Sequence, residues 1–492
     1  DEALKMIHST NESVVVTNKI NNGGLTMSKS HILGYPRMGE QRELKKALEA
    51  YWNGKISQAD LIQTQNTLEK DVWETQQKLG LDYITVGDLA LYDHVLDASL
   101  MFGVIPERFM VCDNEIDRMF CMGRGKAPNG SEAQACEMTK WFDTNYHYIV
   151  PEFSKEQRFT LNAENLLNTV TRAKAVVGNP VKPVILGPLS FLWLGKISDS
   201  SKLSLLEHLI PQYSRLFELL SQAGVQWVQI DEPILTLDLD KDWKEAFVYT
   251  YSKLQFSNVN SLLTTYFGAL EDNLEFISKI PVSGLHIDLC RSPEQLTDVV
   301  KHWPSDKVLS LGVVDGRNIW KNDLTKTLDL VESLNENSGI HLGNIWIGSS
   351  CSLLHCPIDL SLETTLEADI KNWMAFAKQK IQEIALISRG LNKGRSLIEE
   401  MLLESQEAVF SRGTSTKIHD NTVKKRVSKI TESLSKRIHD YGVRAEVQKE
   451  ELKLPLLPTT TIGSFPQTNE IRKNRFKFKK EQITINEYQD FL

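Results

Sequence analysis

The sequence predicts an α/β architecture: a (β/α)8 barrel with inserted helices, a helical connector, and the truncated start of a second (β/α)8 barrel. Three observations carry this reading. Eight short aliphatic or β-branched runs recur, each closed by Gly, Pro or a polar cluster. Most are separated by stretches of helical periodicity, as in Trp373, Phe376, Ala377, Ile381 and Ile384 after the last run. The chain also restarts near its end. Tyr35-Pro36 with Arg42 and Lys45 reappears as Phe465-Pro466 with Arg472 and Arg475 at identical spacing, the mark of an internal duplication.

In chain order, residues 1–26 are rich in Asn, Ser and Gly and lack the apolar segment of a signal peptide. They read as a disordered or artefactual extension, with Met27 as the natural start. The first barrel is expected over 27–390. Its strands are His31-Ile32-Leu33, Ile84-Thr85-Val86, Val184-Ile185-Leu186, Val228-Gln229-Ile230, Leu262-Leu263-Thr264, Leu285-His286-Ile287, Val308 to Leu311, and Ile345-Trp346-Ile347. The long gap from Val86 to Val184 holds the inserted helices. Eight strands alternating with helices point to a barrel, with a doubly wound sheet as the rival. Over 391–455 charge becomes dense. Apolar positions such as Leu397, Met401 and Leu402, then Val423, Val427, Ile430, Leu434 and Ile438, mark amphipathic helices. The cations among them, Lys424, Lys425, Arg426, Lys429, Lys436 and Arg437, read as a solvated face rather than an anion site. Pro455 and Pro458 close this connector, and Thr459 to Ile462 reads as the first strand of a second barrel over 456–492.

Composition narrows the function class. A chain of 492 residues exceeds the ~250–300 at which one core stops growing. A net charge of −8, spread along the chain, argues against general affinity for nucleic acid or membrane. No apolar run approaches the ~20 residues that span a bilayer. Six cysteines (112, 121, 136, 290, 351, 356) form no CxxC pair, so a reducing cytoplasm is the expected location.

Polar residues follow the strands: Arg37, Gly87-Asp88, Asp231-Glu232, Asp288, Gly316-Arg317-Asn318 and Ser349-Ser350-Cys351. A barrel gathers such residues at its C-terminal face, where sites are built, although turns and helix caps use the same residue types. The sharpest local feature is Arg42-Glu43-Leu44-Lys45-Lys46. Leu44, Ala47, Leu48 and Tyr51 form one apolar helix face, and Arg42, Lys45 and Lys46 gather opposite it. Cations in a first turn oppose the helix dipole, and a bound carboxylate or phosphate would reverse that sign. The plain alternative is a solvent-facing basic patch. Residues 137–148, dense in aromatic and polar side chains, suit either a pocket wall or the end of an amphipathic helix. Asp231-Glu232 suggests a glycosidase-like carboxylate pair, but adjacent strand residues point to opposite faces. The metal-capable residues of Cys351 to Cys356, and of His286-Ile287-Asp288, lack the spacing of a structural zinc site.

These motifs together resemble the cobalamin-independent methionine synthase family from Met27 to Leu492. The resemblance rests on Leu33 to Arg37 with Arg42 to Lys46, Val86-Gly87-Asp88 with Tyr92-Asp93-His94, and Glu137 to Tyr148. It extends through Leu186-Gly187-Pro188, Gln229 to Pro233, Gly316-Arg317-Asn318, Ser350 to His355 and Pro458 to Gln467. It implies two (β/α)8 barrels and methyl transfer from 5-methyltetrahydropteroyltri-L-glutamate to L-homocysteine, giving L-methionine without a corrinoid. By motif, Arg42, Glu43, Leu44, Lys45 and Lys140 would bind the folate and its polyglutamate tail. Ile462, Gly463 and Ser464 would begin the homocysteine and methionine site. The resemblance also implies a zinc ion holding the homocysteine thiolate, with its ligands and the proton-donating His beyond Leu492. On this reading no catalytic or metal residue lies within the chain, which alone is inactive. In the first barrel, His286-Ile287-Asp288 and Cys351 resemble ligand positions that no longer bind metal. The expected partners are the two small-molecule substrates, with no nucleic acid or membrane, and a monomeric state. The competing reading is a free-standing barrel acting as a hydrolase or a non-catalytic folate-binding protein.

Overall fold

The computed structural model describes residues 27–492 except 113, 199, 462 and 464–466. They form two units that part between Ser415 and Thr416. In the first unit eight parallel strands make one sheet. They are β1 (Lys29–Ser30), β2 (Ile84–Val86), β3 (Val181–Leu186), β4 (Trp227–Asp231), β5 (Asn260–Thr264), β6 (Gly284–Asp288), β7 (Val308–Val314) and β8 (Ile345–Ser349). Their order across the sheet is β1-β8-β7-β6-β5-β4-β3-β2, so the outer strands are the first two of the chain. These two meet directly. The N–H groups of Asp82 and Tyr83 both donate to the Ser30 carbonyl at 3.1 Å, and Thr85 Oγ1 donates to the Ile32 carbonyl at 2.6 Å. The sheet curls into the expected barrel. A doubly wound sheet would instead reverse its strand order at a switch point.

Each expected run falls on or beside its strand, with one shift. The β1 ladder covers Lys29 and Ser30, earlier than the expected His31 to Leu33. Beyond it the His31 N–H still reaches the Ile347 carbonyl, but the Leu33 N–H turns to the Ser349 hydroxyl at 3.2 Å. Side chains at the barrel mouth have taken over from the ladder there. Parallel strands covered on both faces explain why the runs were visible: β2, β6, β7 and β8 are buried throughout.

The insertion between β2 and β3 contains helices His94–Met101, Glu115–Arg124 and Glu164–Val176. It also carries an antiparallel ribbon, Met138–Lys140 with His147–Ile149, which replaces the helix end weighed for 137–148. Its turn is held locally. The Trp141 N–H donates to the Tyr146 carbonyl, the Thr144 hydroxyl donates to the Trp141 carbonyl, and Phe142 adopts φ 50°. Part of the insertion packs as a second core, with Leu44, Leu48, Tyr51, Ile116, Met119 and Phe120 among its members.

Helix Glu399–Thr414 belongs to the first unit: the Ser405 hydroxyl accepts from the Leu324 N–H and donates to the Asn322 carbonyl. The second unit contains short helices, Asn421–Val427, Glu432–Ser435, Tyr441–Leu452, Asn469–Lys479 and Ile485–Phe491. Its apolar positions Val423, Val427, Ile430, Leu434 and Ile438 are exposed. The strand expected from Thr459 is absent at 459–461, where no neighbouring strand offers partners among the described residues. Ile462, its last residue, lies outside them. No helix among the described residues is long and apolar enough to cross a membrane.

Candidate functional site

The barrel interior is polar where its strands approach the mouth. Lys182 on β3 is buried and donates to Gln229 Oε1 and to the Ile32 carbonyl. Gln229 passes the network on, its Nε2 reaching the Leu33 carbonyl at 3.0 Å and Asp231 Oδ1 at 2.8 Å. The Tyr266 hydroxyl donates to the other Asp231 oxygen at 3.2 Å. Burial pushes the Lys182 ammonium down to about 7 and the Asp231 carboxyl up to about 6, each opposed by the other's charge. Elsewhere in the interior Ser310 Oγ lies 2.7 Å from both His31 Nε2 and His286 Nδ1. Glycine is needed alongside: a Cβ on Gly312 would come within 2.9 Å of His286 Nε2.

At the mouth is a cavity of about 140 Å³, lined by Asp88, His94, Asp97, Trp141, Asp231 and Tyr266 among others. Asp88 Oδ2 accepts from the Tyr35 N–H at 2.7 Å, and its buried Oδ1 has no partner. Burial raises the Asp88 carboxyl to about 7, and burial with neighbouring Asp93 raises Asp97 to about 8. His94 stacks on Tyr146 and meets Trp141 edge-on, and burial lowers its imidazole to about 3. The ribbon turn is clamped over the mouth by Asp143, which pairs with Arg317 at 2.7 Å and with Arg291 at 3.0 Å. Arg37 donates twice to the Ala90 and Leu91 carbonyls.

Arg37, Asp88, Asp231 and Arg317 were visible in the sequence as residues following strands. Lys182, Asp97 and Arg291 were not. Lys182 had a signal, a lone cation beside an aliphatic run, but the Pro183 next to it made the run look shorter than the strand.

The folate candidates lie on two elements. Arg42, Glu43, Leu44 and Lys45 open helix Glu43–Trp52, and Lys140 ends the ribbon strand Met138–Lys140. Arg42 occupies the N-cap position at φ 62° and ψ 38°, with no side-chain cap. Arg42, Lys45 and Lys140 are exposed, and none has a salt bridge or side-chain hydrogen bond among the described residues. Glu43 accepts from the Gln41 N–H at 3.0 Å and closes the turn before the helix, while Leu44 is buried in the second core. Of the homocysteine candidates, Ile462 and Ser464 lie outside the described residues. Gly463 has φ 87°, and among the described residues nothing lies within 4 Å of the place a Cβ would take.

Asp231 and Glu232 do not converge. Asp231 faces the mouth cavity, whereas buried Glu232 accepts from the Leu189 and Ser190 N–H groups and the Tyr251 hydroxyl, anchoring helix Pro188–Leu194. Two of the zinc-like positions of the first barrel make hydrogen bonds within the protein. Asp288 is occupied by the N–H groups of Phe267, Cys290 and Arg291, and His286 Nδ1 is held by Ser310. No group of three His, Cys, Asp or Glu side chains is arranged to hold an ion among the described residues.

Residues 29–339 match the family model described as the cobalamin-independent synthase N-terminal domain, and 457–492 match the catalytic domain of the same synthase. The chain is 50% identical over 467 residues to a 5-methyltetrahydropteroyltriglutamate–homocysteine methyltransferase of Coxiella burnetii (strain Dugway 5J108-111), covering 94% of this chain and 60% of that protein. A Saccharophagus degradans protein of the same description is 46% identical over 471 residues, covering 94% and 61%. The chain thus spans about three-fifths of these relatives' length. A solved B12-independent methionine synthase from Shewanella sp. W3-18-1, in complex with selenomethionine, superposes with a TM-score of 0.51. At 12% identity, over 77% of this chain and 99% of that one, the likeness bears on fold alone.

Proposed function

The chain belongs to the cobalamin-independent methionine synthase family, and from that premise we propose that it is the tail-binding part of a methyltransferase. The reaction moves the methyl group of 5-methyltetrahydropteroyltri-L-glutamate to the sulfur of L-homocysteine, giving L-methionine. Residues 27–390 are the first barrel, 391–455 the connector and 456–492 the opening of the catalytic barrel of a longer protein. The observation that carries the reading is the cationic start of helix Glu43–Trp52. Arg42 and Lys45 add charge where the helix dipole is already positive, without a salt-bridge partner among the described residues. A chain of glutamate carboxylates supplies the missing anions, and charge-assisted contacts from Arg42, Lys45 and Lys140 hold it. Glu43 and Leu44 position these cations by fixing the turn and seating the helix.

Ile462, Gly463 and Ser464 meet the amino-acid part of homocysteine through the main chain, with Gly463 allowing close approach. Zinc is assigned to ligands outside residues 1–492; in the first barrel Asp288 is taken up by backbone N–H groups. A cytoplasmic monomer accords with the net charge of −8 and the sparse cysteine pattern.

Calorimetric titration of the 492-residue protein with the triglutamate and monoglutamate forms of the folate tests the tail assignment. Arg42→Ala and Lys45→Ala should each weaken triglutamate binding by roughly tenfold or more, at ~1.5–3 kcal/mol per charge-assisted contact. Monoglutamate binding should hardly change. Equal losses on both ligands would overturn the assignment.

A further inference from the structure

The insertion between β2 and β3 contains a pair of thiols whose contact the sequence spacing does not announce. Cys112 follows the short turn Glu107–Phe109, and Cys121 lies within helix Glu115–Arg124. Their Sγ atoms are 3.0 Å apart, and both side chains are buried. A disulfide spans about 2.0 Å, so bond formation asks for a movement of only about 1 Å. The approach is braced from several sides. Arg118 donates to the Cys112 carbonyl at 3.1 Å, the Cys112 N–H donates to the Phe109 carbonyl, and the Cys121 thiol also reaches the Ser131 carbonyl at 3.3 Å. The neighbouring Met110 and Val111 are exposed, so the pair lies directly beneath a surface segment.

We propose that Cys112 and Cys121 form a reversible dithiol–disulfide pair, closed by a peroxide and reopened by a thiol reductant. One thiol gives up its proton, and its thiolate attacks hydrogen peroxide and becomes a sulfenic acid; the hydroxide expelled takes up that proton as the first water. The second sulfur attacks it, forms the S–S bond and expels the oxygen as a second water. Two thiols and one peroxide thus give one disulfide and two waters, the two electrons lost by sulfur being gained by the peroxide oxygens. Burial and contact with Cys112 push the Cys121 thiol up to about 12, so it is protonated in the resting state. A transient disulfide of this kind is compatible with a reducing compartment.

The bond would stiffen the layer behind the basic helix start. The Tyr51 hydroxyl donates to Asp117 at 2.8 Å and Arg124 pairs with Glu49 at 2.7 Å, so helix Glu115–Arg124 buttresses helix Glu43–Trp52. The pair itself does not depend on the folate assignment.

Trypsin makes the test direct, because cleavage after Arg108, Arg118 and Arg124 puts the two cysteines in different peptides. The 492-residue protein is treated with equimolar hydrogen peroxide, blocked with N-ethylmaleimide, digested without reductant and analysed by mass spectrometry. The expected product is peptide 109–118 joined to peptide 119–124, two hydrogens lighter than their sum, and lost on adding dithiothreitol. Cys136→Ser should leave this product unchanged. Amide exchange over 115–124 should slow by roughly tenfold or more on oxidation, as a cross-link restricts local opening. Unlinked peptides, over-oxidised single cysteines or a bond to Cys136 would each overturn the pairing. Unchanged exchange in the oxidised protein would overturn the stiffening.

Discussion

Arg42 enters its helix at φ 62°, a left-handed conformation that costs a non-glycine residue about 1 kcal/mol. Strain of this kind persists where a side chain is wanted for its chemistry, and the guanidinium at the start of a basic helix is such a case. Replacing Arg42 by Gly should therefore raise the melting temperature slightly relative to Arg42→Ala, while both variants lose triglutamate affinity alike. Equal stability of the two would mean that the backbone relaxes in solution and the strain argument fails. Asp97 makes a second point at this scale. Folded, its carboxyl keeps a proton up to about pH 8, because of burial and the charge of Asp93. Unfolded, it ionises near pH 4. Between those values the folded state binds the extra proton, so this group's contribution to stability falls as the pH rises from about 4 to 8. Asp97→Asn removes that dependence, and its advantage over the parent should be larger at pH 8 than at pH 5 by up to ~4 kcal/mol, at ~1.4 kcal/mol per pH unit. Thermal melts at the two pH values check this, and a constant gap would show that the carboxyl is not held protonated.

Helix Glu43–Trp52 shows how an element serves a site it does not touch through its buried face. Leu44, Ala47, Leu48 and Tyr51 pack into the second core, which fixes the rotation of the helix and so presents Arg42 and Lys45 outward. Leu44→Ala should cost ~2–5 kcal/mol, the usual range for truncating a buried Leu. Chemical denaturation reads that loss, and a change under ~1 kcal/mol would mean that the helix is not anchored there. This face was legible in the sequence because four apolar residues at helical spacing leave little choice of side. The buttress behind it was not legible. Tyr51 meets Asp117 and Glu49 meets Arg124 across a long insertion, and local periodicity carries no information about such partners. The ribbon turn was hidden for another reason. Its reversal depends on Phe142 at φ 50° and on the Thr144 hydroxyl, without the glycine that usually marks such a bend.

Across the whole molecule, the barrel was readable because buried parallel strands appear as continuous aliphatic runs, on or beside every strand of the sheet even though the β1 ladder itself is Lys29–Ser30. The buried Lys182–Gln229 contact was not readable, since it joins side chains on two different strands. The repeat at Phe465-Pro466 was visible as a pattern, yet a pattern does not say what surface covers it, and the apolar positions from Val423 to Ile438 are exposed. The duplicated architecture raises the question of whether the first barrel holds a metal of its own, and the side chains answer in chemical terms. His286 Nδ1 is engaged with Ser310 Oγ, and its buried Nε2, beside Gly312, has no hydrogen-bond partner among the described residues. Asp288 already accepts three backbone N–H bonds that hold the turn to Arg291. Burial, reinforced by the charge of Asp288, keeps the Cys351 thiol well above its ordinary value and hence protonated, whereas zinc binds the thiolate. Binding a metal through Asp288 and Cys351 would require releasing backbone donors and ionising a buried thiol together. The 492-residue protein, rinsed with chelator and then supplied with equimolar zinc, should retain well under one zinc per chain by elemental analysis. Its melting temperature should not rise, since a ligand that binds only the folded state would stabilise it by mass action. One tightly held zinc accompanied by a rise in melting temperature would show that these residues rearrange into a site, and that the first barrel keeps a metal function.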